Sequence, residues 1–503
     1  MKRAPDGRVR AALFWTLLGA GVALLRTHDI GLIGHDTYPV LVASRIESWA
    51  DLWGAFTEPL MDGRFRGTFF RPLLSLSIAL DDRIWGLNPV GYQLTNAVLF
   101  GAATAAVHSV SRSLSGPGTP ASWIAPLLFA GHPGAIAVVA FASRRSESMV
   151  CLFLLLIVIE ASRRGATGSR TSWFPAFLWT VLAIGSREVA YVAPFLATGV
   201  ALAVEVANER RVRLRVLLDR TWPIWTAAAL MMGLRFAVLG TLGGHHEFEP
   251  GRMIDRMVPA VAETAVRVAA IEGFRASAWV TVLLAGVMIA LLLRKSRREP
   301  TSEESGSDGR RPFVLPAVGL LWLGGLGAVY SAAPAIAEWY VLAAVVGWSL
   351  IVGGLASVGE RAWRSIHRRT RSMGLLAMAA TSIVVAAQLQ SGLWFHDPAR
   401  WRAATADTSQ FLAALGQQVE AARGGSVLAT EPLPQWEQER GSTAKRAFAL
   451  SGYSVQGWLD LMYPDRKARV ILRVNPAPAG LTAIPQPPPD ELIVLVPVWE
   501  PSS

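Results

Sequence analysis

The stretch "AALFWTLLGAGVALLRTHDIGLIGHDTYPV", residues 11–40, decides how this chain is read. Residues 11–25 carry no charge, and the residues after them bring Arg26, His28, Asp29, His35 and Asp36 in quick succession. An apolar helix of roughly 15–22 residues, rising about 1.5 Å per residue, spans most or all of a hydrocarbon core about 30 Å thick. The run reads as a membrane span, and Asp36 as a carboxylate placed where that span emerges. A cleavable signal peptide is the competing reading of so short a run behind Lys2 and Arg3, but no clear small-x-small cleavage site follows.

Working outward, the same pattern recurs. The chain has 503 residues, 52% hydrophobic and only 17% charged, with a mean hydropathy of +0.36. Soluble domains carry about 25% charge, so the expected class is an all-α polytopic membrane protein. Eleven spans are expected, at 11–25, 91–110, 122–141, 148–162, 172–185, 189–206, 221–240, 276–294, 313–331, 337–356 and 373–391. Short segments such as "MKRAPDGRVR", "ERRVRLRVLLDR" and "ERAWRSIHRRTR" alternate with these runs, and segments of one parity hold 24 of the 48 Lys and Arg. Such clusters mark the cytoplasmic side, which places the N-terminus inside and the C-terminus outside. The net charge of +11 is written in these clusters rather than on one folded face, so no nucleic-acid partner is expected. The one cysteine, Cys151, lies within an apolar run and has no partner for an internal disulfide.

Outside, the parity leaves a long first loop (26–90), a middle loop (241–275) and the tail. The tail alternates amphipathic stretches with short β-like runs, "SVLAT", "ARVILRV" and "ELIVLVPVW", around a Pro-rich segment. It is expected to be a small extracytoplasmic α/β appendage, residues 393–503, after a transmembrane unit of residues 1–392.

Ionisable groups at membrane depth are expensive and therefore functional candidates. His35, Asp36, Arg71, Asp81, His132, Arg144, Arg145, Glu147, Arg187, Glu188 and Glu338 all fall near the outer ends of expected spans. A carboxylate can take a proton from an attacking hydroxyl, and arginines can hold a phosphate and the charge that grows on it. Nucleotide sugars are not supplied outside the cytoplasm, so an activated sugar there arrives on a membrane-borne phosphate. The bland alternatives are concrete: a helix-ending Asp36, arginines that snorkel to the interface, a His132–Pro133 helix stop, and an Arg187–Glu188 surface pair.

Four stretches carry a family resemblance: "FFRPLLSLSIALDDRIWGLNPVGYQLTN" (69–96), "LLFAGHPGAIAVVAFASRRSE" (127–147), "SREVAYVAPFL" (186–196) and "AEWYVLAAVVG" (337–347). They resemble the GT-C glycosyltransferases, most closely the protein O-mannosyltransferase-like branch that includes the transmembrane and tetratricopeptide-containing mannosyltransferases, though no such repeat is seen here. The resemblance covers roughly residues 10–400. It implies an inverting lipid-phosphate-sugar transferase in which Asp36 is the catalytic acid of the first loop, with His35 beside it. Arg71, His132, Arg145, Glu147, Arg187 and Glu188 would serve the sugar and lipid phosphate. The chain departs from the family pattern at His35, where a second acid is frequent, and at Gln93, Ala137, Arg187 and Trp339, where the family has His, Glu, Lys and Arg.

The expected protein is then a multi-pass membrane glycosyltransferase in the inner (plasma) membrane of a bacterium. It would use a polyprenyl-phosphate-linked sugar and a protein, lipid or polysaccharide acceptor amid membrane lipid. No residue set specifies a cofactor, and a divalent metal stays open. The rival readings are a lipid-linked saccharide transporter or flippase, which should show paired, interrupted half-helices, and an inactive scaffold of the same fold.

Overall fold

The computed structural model describes residues 6–63, 69–163, 173–209, 212–241, 250–269, 313–333, 338–366, 398–422, 427–430, 450, 452–466, 469–472 and 493–495. Two of the expected spans, 276–294 and 373–391, lie outside the described residues, as does the expected boundary at 392/393.

Helix α1 (Asp6–Thr27) contains the opening run, and the first long loop follows it with α2 (Thr37–Ala43), α3 (Trp49–Thr57) and α4 (Pro72–Trp85). Helix α3 starts at a capping box in which Ser48 and Asp51 satisfy each other's backbone N–H. Pro72 opens α4 at the position where a missing N–H costs nothing. Helix α5 (Pro89–Ser115) runs antiparallel to α1 and packs along it. Gly101 makes that possible, because a Cβ there would collide with the Thr16 carbonyl. Small residues let backbones approach closely in this way wherever apolar lipid removes the usual drive to bury apolar surface.

The chain then forms a broken span: α6 (Ala121–Gly131), a 3-10 turn at Pro133–Ala135, and α7 (Ile136–Val139), bent by 50°. Pro133 lacks the N–H that would continue α6, and the residue before it is pushed to an extended conformation. Helices α8 (Arg145–Arg163) and α9 (Phe174–Ser186) come next. Arg187 then interrupts the chain with an extended backbone before a 3-10 turn (Glu188–Val192) leads into α10 (Ala193–Glu209). Helix α11 (Leu214–Leu239), the amphipathic α12 (Pro250–Ala269), α13 (Val314–Tyr330) and α14 (Val341–Ile366) complete the bundle. Its core runs through Phe100, Phe129, Leu154, Val200, Trp322 and Val345.

Five of these helices are long and apolar enough to cross a membrane, or six with the bent pair. This is the composition of an integral membrane protein. Helix α8 carries Arg145 and Glu147 in its first turn, and α9 and α13 are shorter apolar helices of 13 and 17 residues. The eleven-span expectation is therefore met only in part among the described residues.

In the tail, α15 (Pro398–Ala421) and α16 (Gly452–Met462) accompany a three-stranded sheet in the order β2–β1–β3, with β1 (Val427–Thr430) parallel to both β2 (Arg469–Leu472) and β3 (Ile493–Leu495). These helices do not hang free. Leu415, Val455 and Leu459 share one buried cluster with Tyr38, Leu41, Ile78 and Tyr92 of the first loop and its flanking helices.

Candidate functional site

The site grows from the loop that α1 delivers. Asp36 occupies the N-cap position of α2, yet its side chain makes no capping hydrogen bond. The helix-ending explanation for this aspartate is thereby removed. Its Oδ1 instead accepts a hydrogen bond from the Tyr453 hydroxyl, 417 residues away on α16. The Ser454 hydroxyl donates to the backbone carbonyl of His35. Burial pushes the His35 imidazole below its ordinary range, Asp36 opposes that push, and Arg144 adds to it.

Arg144 links this loop to the bundle. Its guanidinium lies between two rings, 4.1 Å from the Phe141 centroid and 4.2 Å from that of Trp339, and it donates to the Ala137 carbonyl at 2.8 Å. Stacking uses the faces of the planar group and leaves its edge of N–H donors available. Two departures from the family pattern, Ala137 and Trp339, are thus the positions that hold Arg144. Asp36, Glu147 and Arg187 all lie within its electrostatic reach.

Behind Arg144 the arginines and carboxylates interlock. Arg187, set by the break after α9, lies 3.0 Å from Glu147 and donates to Ser146 at 3.2 Å, with its guanidinium over the Tyr340 ring. Glu147 is fully buried, and neither of its oxygens has a hydrogen bond of good alignment. Glu188 receives Arg71 through two donors, Nε at 3.0 Å and Nη2 at 2.8 Å, and Arg235 of α11 at 3.2 Å. Across Arg71, Arg144, Arg187 and Arg235 against Asp36, Glu147 and Glu188, positive charge exceeds negative by one. Buried charges persist only when paired, or when a ligand completes them. Among the described residues no group of three His, Cys, Asp or Glu side chains is placed to hold a metal ion.

Seven of the residues singled out from sequence come together here: His35, Asp36, Arg71, Arg144, Glu147, Arg187 and Glu188. His132 and Arg145 do not. His132 is buried at the bend, where its Nδ1 accepts from the Gly134 N–H and its Nε2 lies 3.3 Å from the Val268 carbonyl. Arg145 is fully buried and spends its donors on Asp81, on Asn96 at 2.6 Å and on the Ser77 hydroxyl and carbonyl at 2.8 Å. Its charge partner is Asp81, itself among the candidate residues. Sequence reading missed Arg235 and Tyr453. Arg235, a lone cation in "LMMGLRFAVLG", was the visible signal; Tyr453 left none.

No protein-family model matches the chain. It is 34% identical over 128 residues to the protein O-mannosyl-transferase TMTC2 of Homo sapiens, covering 25% of this chain and 15% of that protein. It is 32% identical over 146 residues to the protein O-mannosyl-transferase Tmtc1 of Drosophila melanogaster, covering 29% and 16%. Among solved structures, ArnT from Cupriavidus metallidurans bound to undecaprenyl phosphate aligns with 93% of this chain and 90% of its own at 12% identity and a TM-score of 0.48, below the level at which two folds can be equated. The matched segments span about a sixth of the sequence relatives' length. Over about a quarter of its residues the chain is similar to protein O-mannosyl-transferases, the resemblance that its motifs imply.

Proposed function

We propose that the chain is a GT-C-type membrane glycosyltransferase that moves one sugar from a polyprenyl-phosphate donor to a hydroxyl acceptor at the outer face, with inversion. The observation that carries this reading is Asp36: a carboxylate that caps no helix and sits beside Arg144 at the edge of an arginine-rich buried network. The similarity to proteins named as O-mannosyl-transferases supports it.

In this reaction the acceptor oxygen attacks the anomeric carbon while its proton passes to Asp36. The bond from that carbon to the phosphate oxygen breaks, and the electron pair leaves with the polyprenyl phosphate. Attack opposite the leaving group inverts the centre. Positioned general-base catalysis contributes roughly 10²–10⁴ in rate. Arg71, Arg144, Arg187 and Arg235 take the phosphate and its developing charge, and Glu147 and Glu188 hold two of them in place. His132 shapes the bend and Arg145 braces α4, α5 and α8. The apolar groove between α10 and α13, about 850 Å³ and lined by Val192, Leu196, Leu321 and Gly325, begins beside the 3-10 turn of Glu188 and suits the polyprenyl chain.

The topology proposed with it has eleven spans, a cytoplasmic N-terminus and an outer C-terminus in a bacterial plasma membrane, with residues 1–392 as the transferase unit and 393–503 as the extracytoplasmic appendage. Reporter fusions at residue 300 and after residue 395 should report opposite sides. The function is tested by mass spectrometry of surface glycans and glycoproteins in a deletion strain and in strains complemented with wild type or Asp36→Asn. A sugar lost on deletion, restored by wild type and not by Asp36→Asn, is expected. An unchanged glycan profile, or full rescue by Asp36→Asn, overturns the reading.

A further inference from the structure

The first outer loop is held by the tail at two points near its start. Near its start the Gly31 N–H donates to the Thr405 hydroxyl of α15 at 3.0 Å, and Trp401 packs edge-on against Phe141, the ring beneath Arg144, at 4.7 Å. A few residues further on, the first turn of α16 supplies Tyr453 to Asp36 and Ser454 to the His35 carbonyl. Helix α16 reaches this position because Gly457 lies against α2, where a Cβ would come within 2.8 Å of the Pro39 nitrogen. Behind the contact, Val455 and Leu459 are buried with Tyr38 and Leu41.

From this geometry we infer that Tyr453 is a positioning residue for Asp36, and that the C-terminal segment completes the active site rather than decorating it. The inference rests on the reading of Asp36 as the base. A carboxylate on two rotatable bonds has many orientations, and a phenol O–H donated to Oδ1 fixes one of them. Oδ2 is then the oxygen aimed at the acceptor hydroxyl. Because the donor is held by the arginines and not by Tyr453, the phenol acts on turnover and leaves donor binding alone. Loss of alignment at a reacting group costs up to about 10²-fold in rate, so Tyr453→Phe, which keeps the ring and removes the donor, should lower kcat about tenfold to a hundredfold.

The test uses the full-length protein in lipid nanodiscs, with undecaprenyl-phosphate mannose as donor and a threonine-containing peptide as acceptor. Four forms are compared: wild type, Tyr453→Phe, Asp36→Asn and the double variant. Expected are a reduced kcat with unchanged donor KM for Tyr453→Phe, and a double variant no slower than Asp36→Asn alone, since a residue acting through Asp36 has nothing left to position. Gly457→Val, which pushes α16 off α2, should lower kcat in the same way. An unchanged kcat for Tyr453→Phe, or losses that multiply in the double variant, overturns the inference while Asp36 stands as the base. Wild-type turnover by Asp36→Asn removes the base and the inference together, and it is read from that single variant.

Discussion

Two buried arginine networks lie within a few turns of each other, and they are built on opposite principles. Around Arg145 the account is closed: Asp81, Asn96, Ser77 and the Tyr92 carbonyl take its donors, and the side chain has no exposure. Around Arg187 it stays open. Among the described residues four arginines meet three carboxylates, Glu147 lies inside without a well-aligned hydrogen bond, and Glu188 retains 22% side-chain exposure. A saturated buried ion pair fixes geometry and offers nothing to a ligand, whereas a network with surplus cations is completed by an anion. Adjacent residues of one Arg-Arg-Ser-Glu turn thus serve different ends: Arg145 braces the bundle, and Arg144 and Glu147 face the site.

The sharpest test of that contrast is Arg145→Met. It leaves Asp81 buried and unpaired, which costs about 3–5 kcal/mol of stability, seen as a large drop in melting temperature of the detergent-solubilised protein. Removing both charges in Arg145→Met/Asp81→Leu should restore most of the loss, because an apolar replacement of a buried pair is often neutral. If Arg145→Met melts like wild type and loses affinity for undecaprenyl phosphate instead, the two networks have exchanged roles.

Next in size is Arg71→Ala. Glu188 keeps Arg235 at 3.2 Å in this variant, so the fold has a remaining cation to balance the carboxylate. The affinity for undecaprenyl phosphate should fall by about 1.5–3 kcal/mol, the range for hydrogen bonds to charged groups, with little change in melting temperature. Unchanged affinity would return Arg71 to a purely structural pairing.

What could be read in the sequence follows from how local each signal is. The apolar runs, the Pro133 break and the charged turns after them are local, and they put seven of the candidate residues into one network. The partners of those residues are not local. Asp81 lies 64 positions from Arg145 and Glu188 lies 117 from Arg71, so no periodicity announces which carboxylate each arginine meets. The packing of the tail is hidden for the same reason. Its amphipathic pattern shows that α15 and α16 bury one face, but not that α16 is buried against α2. Gln93, a departure from the family's His, is likewise tied to the first loop through the Ile30 carbonyl, a contact that spacing does not disclose.

A smaller effect separates the two networks by their surroundings. Arg145 is held by hydrogen bonds, but Arg144 is held largely by ring faces, and Trp339 supplies one of them. Trp339→Ala should weaken undecaprenyl phosphate binding by about 0.5–2 kcal/mol, the range for a cation over an aromatic face, and Trp339→Phe should recover part of it. Equal affinity in all three proteins would mean that Phe141 and the Ala137 carbonyl suffice to hold Arg144.

The smallest expected effect concerns how well the open network is sealed from water. His35 faces Asp36 on its own loop, Arg144 from the bundle and, beyond Asp36, Tyr453 from α16. Burial, helped by Arg144 and opposed by Asp36, holds its pKa below the ordinary value near 6.5. The unfolded chain therefore takes up a proton at His35 before the folded protein does. Stability attributable to this residue is complete above about pH 6.5 and declines as the pH falls from there towards the lowered folded value. Wild type should lose melting temperature between pH 8 and pH 5.5, and His35→Gln, which keeps a polar side chain but cannot take the proton, should lose less. The comparison is made in one detergent at fixed ionic strength, since screening alters the Arg144 contribution. If the two proteins show the same slope, His35 exchanges protons as freely folded as unfolded. The tail would then not close over the loop at His35.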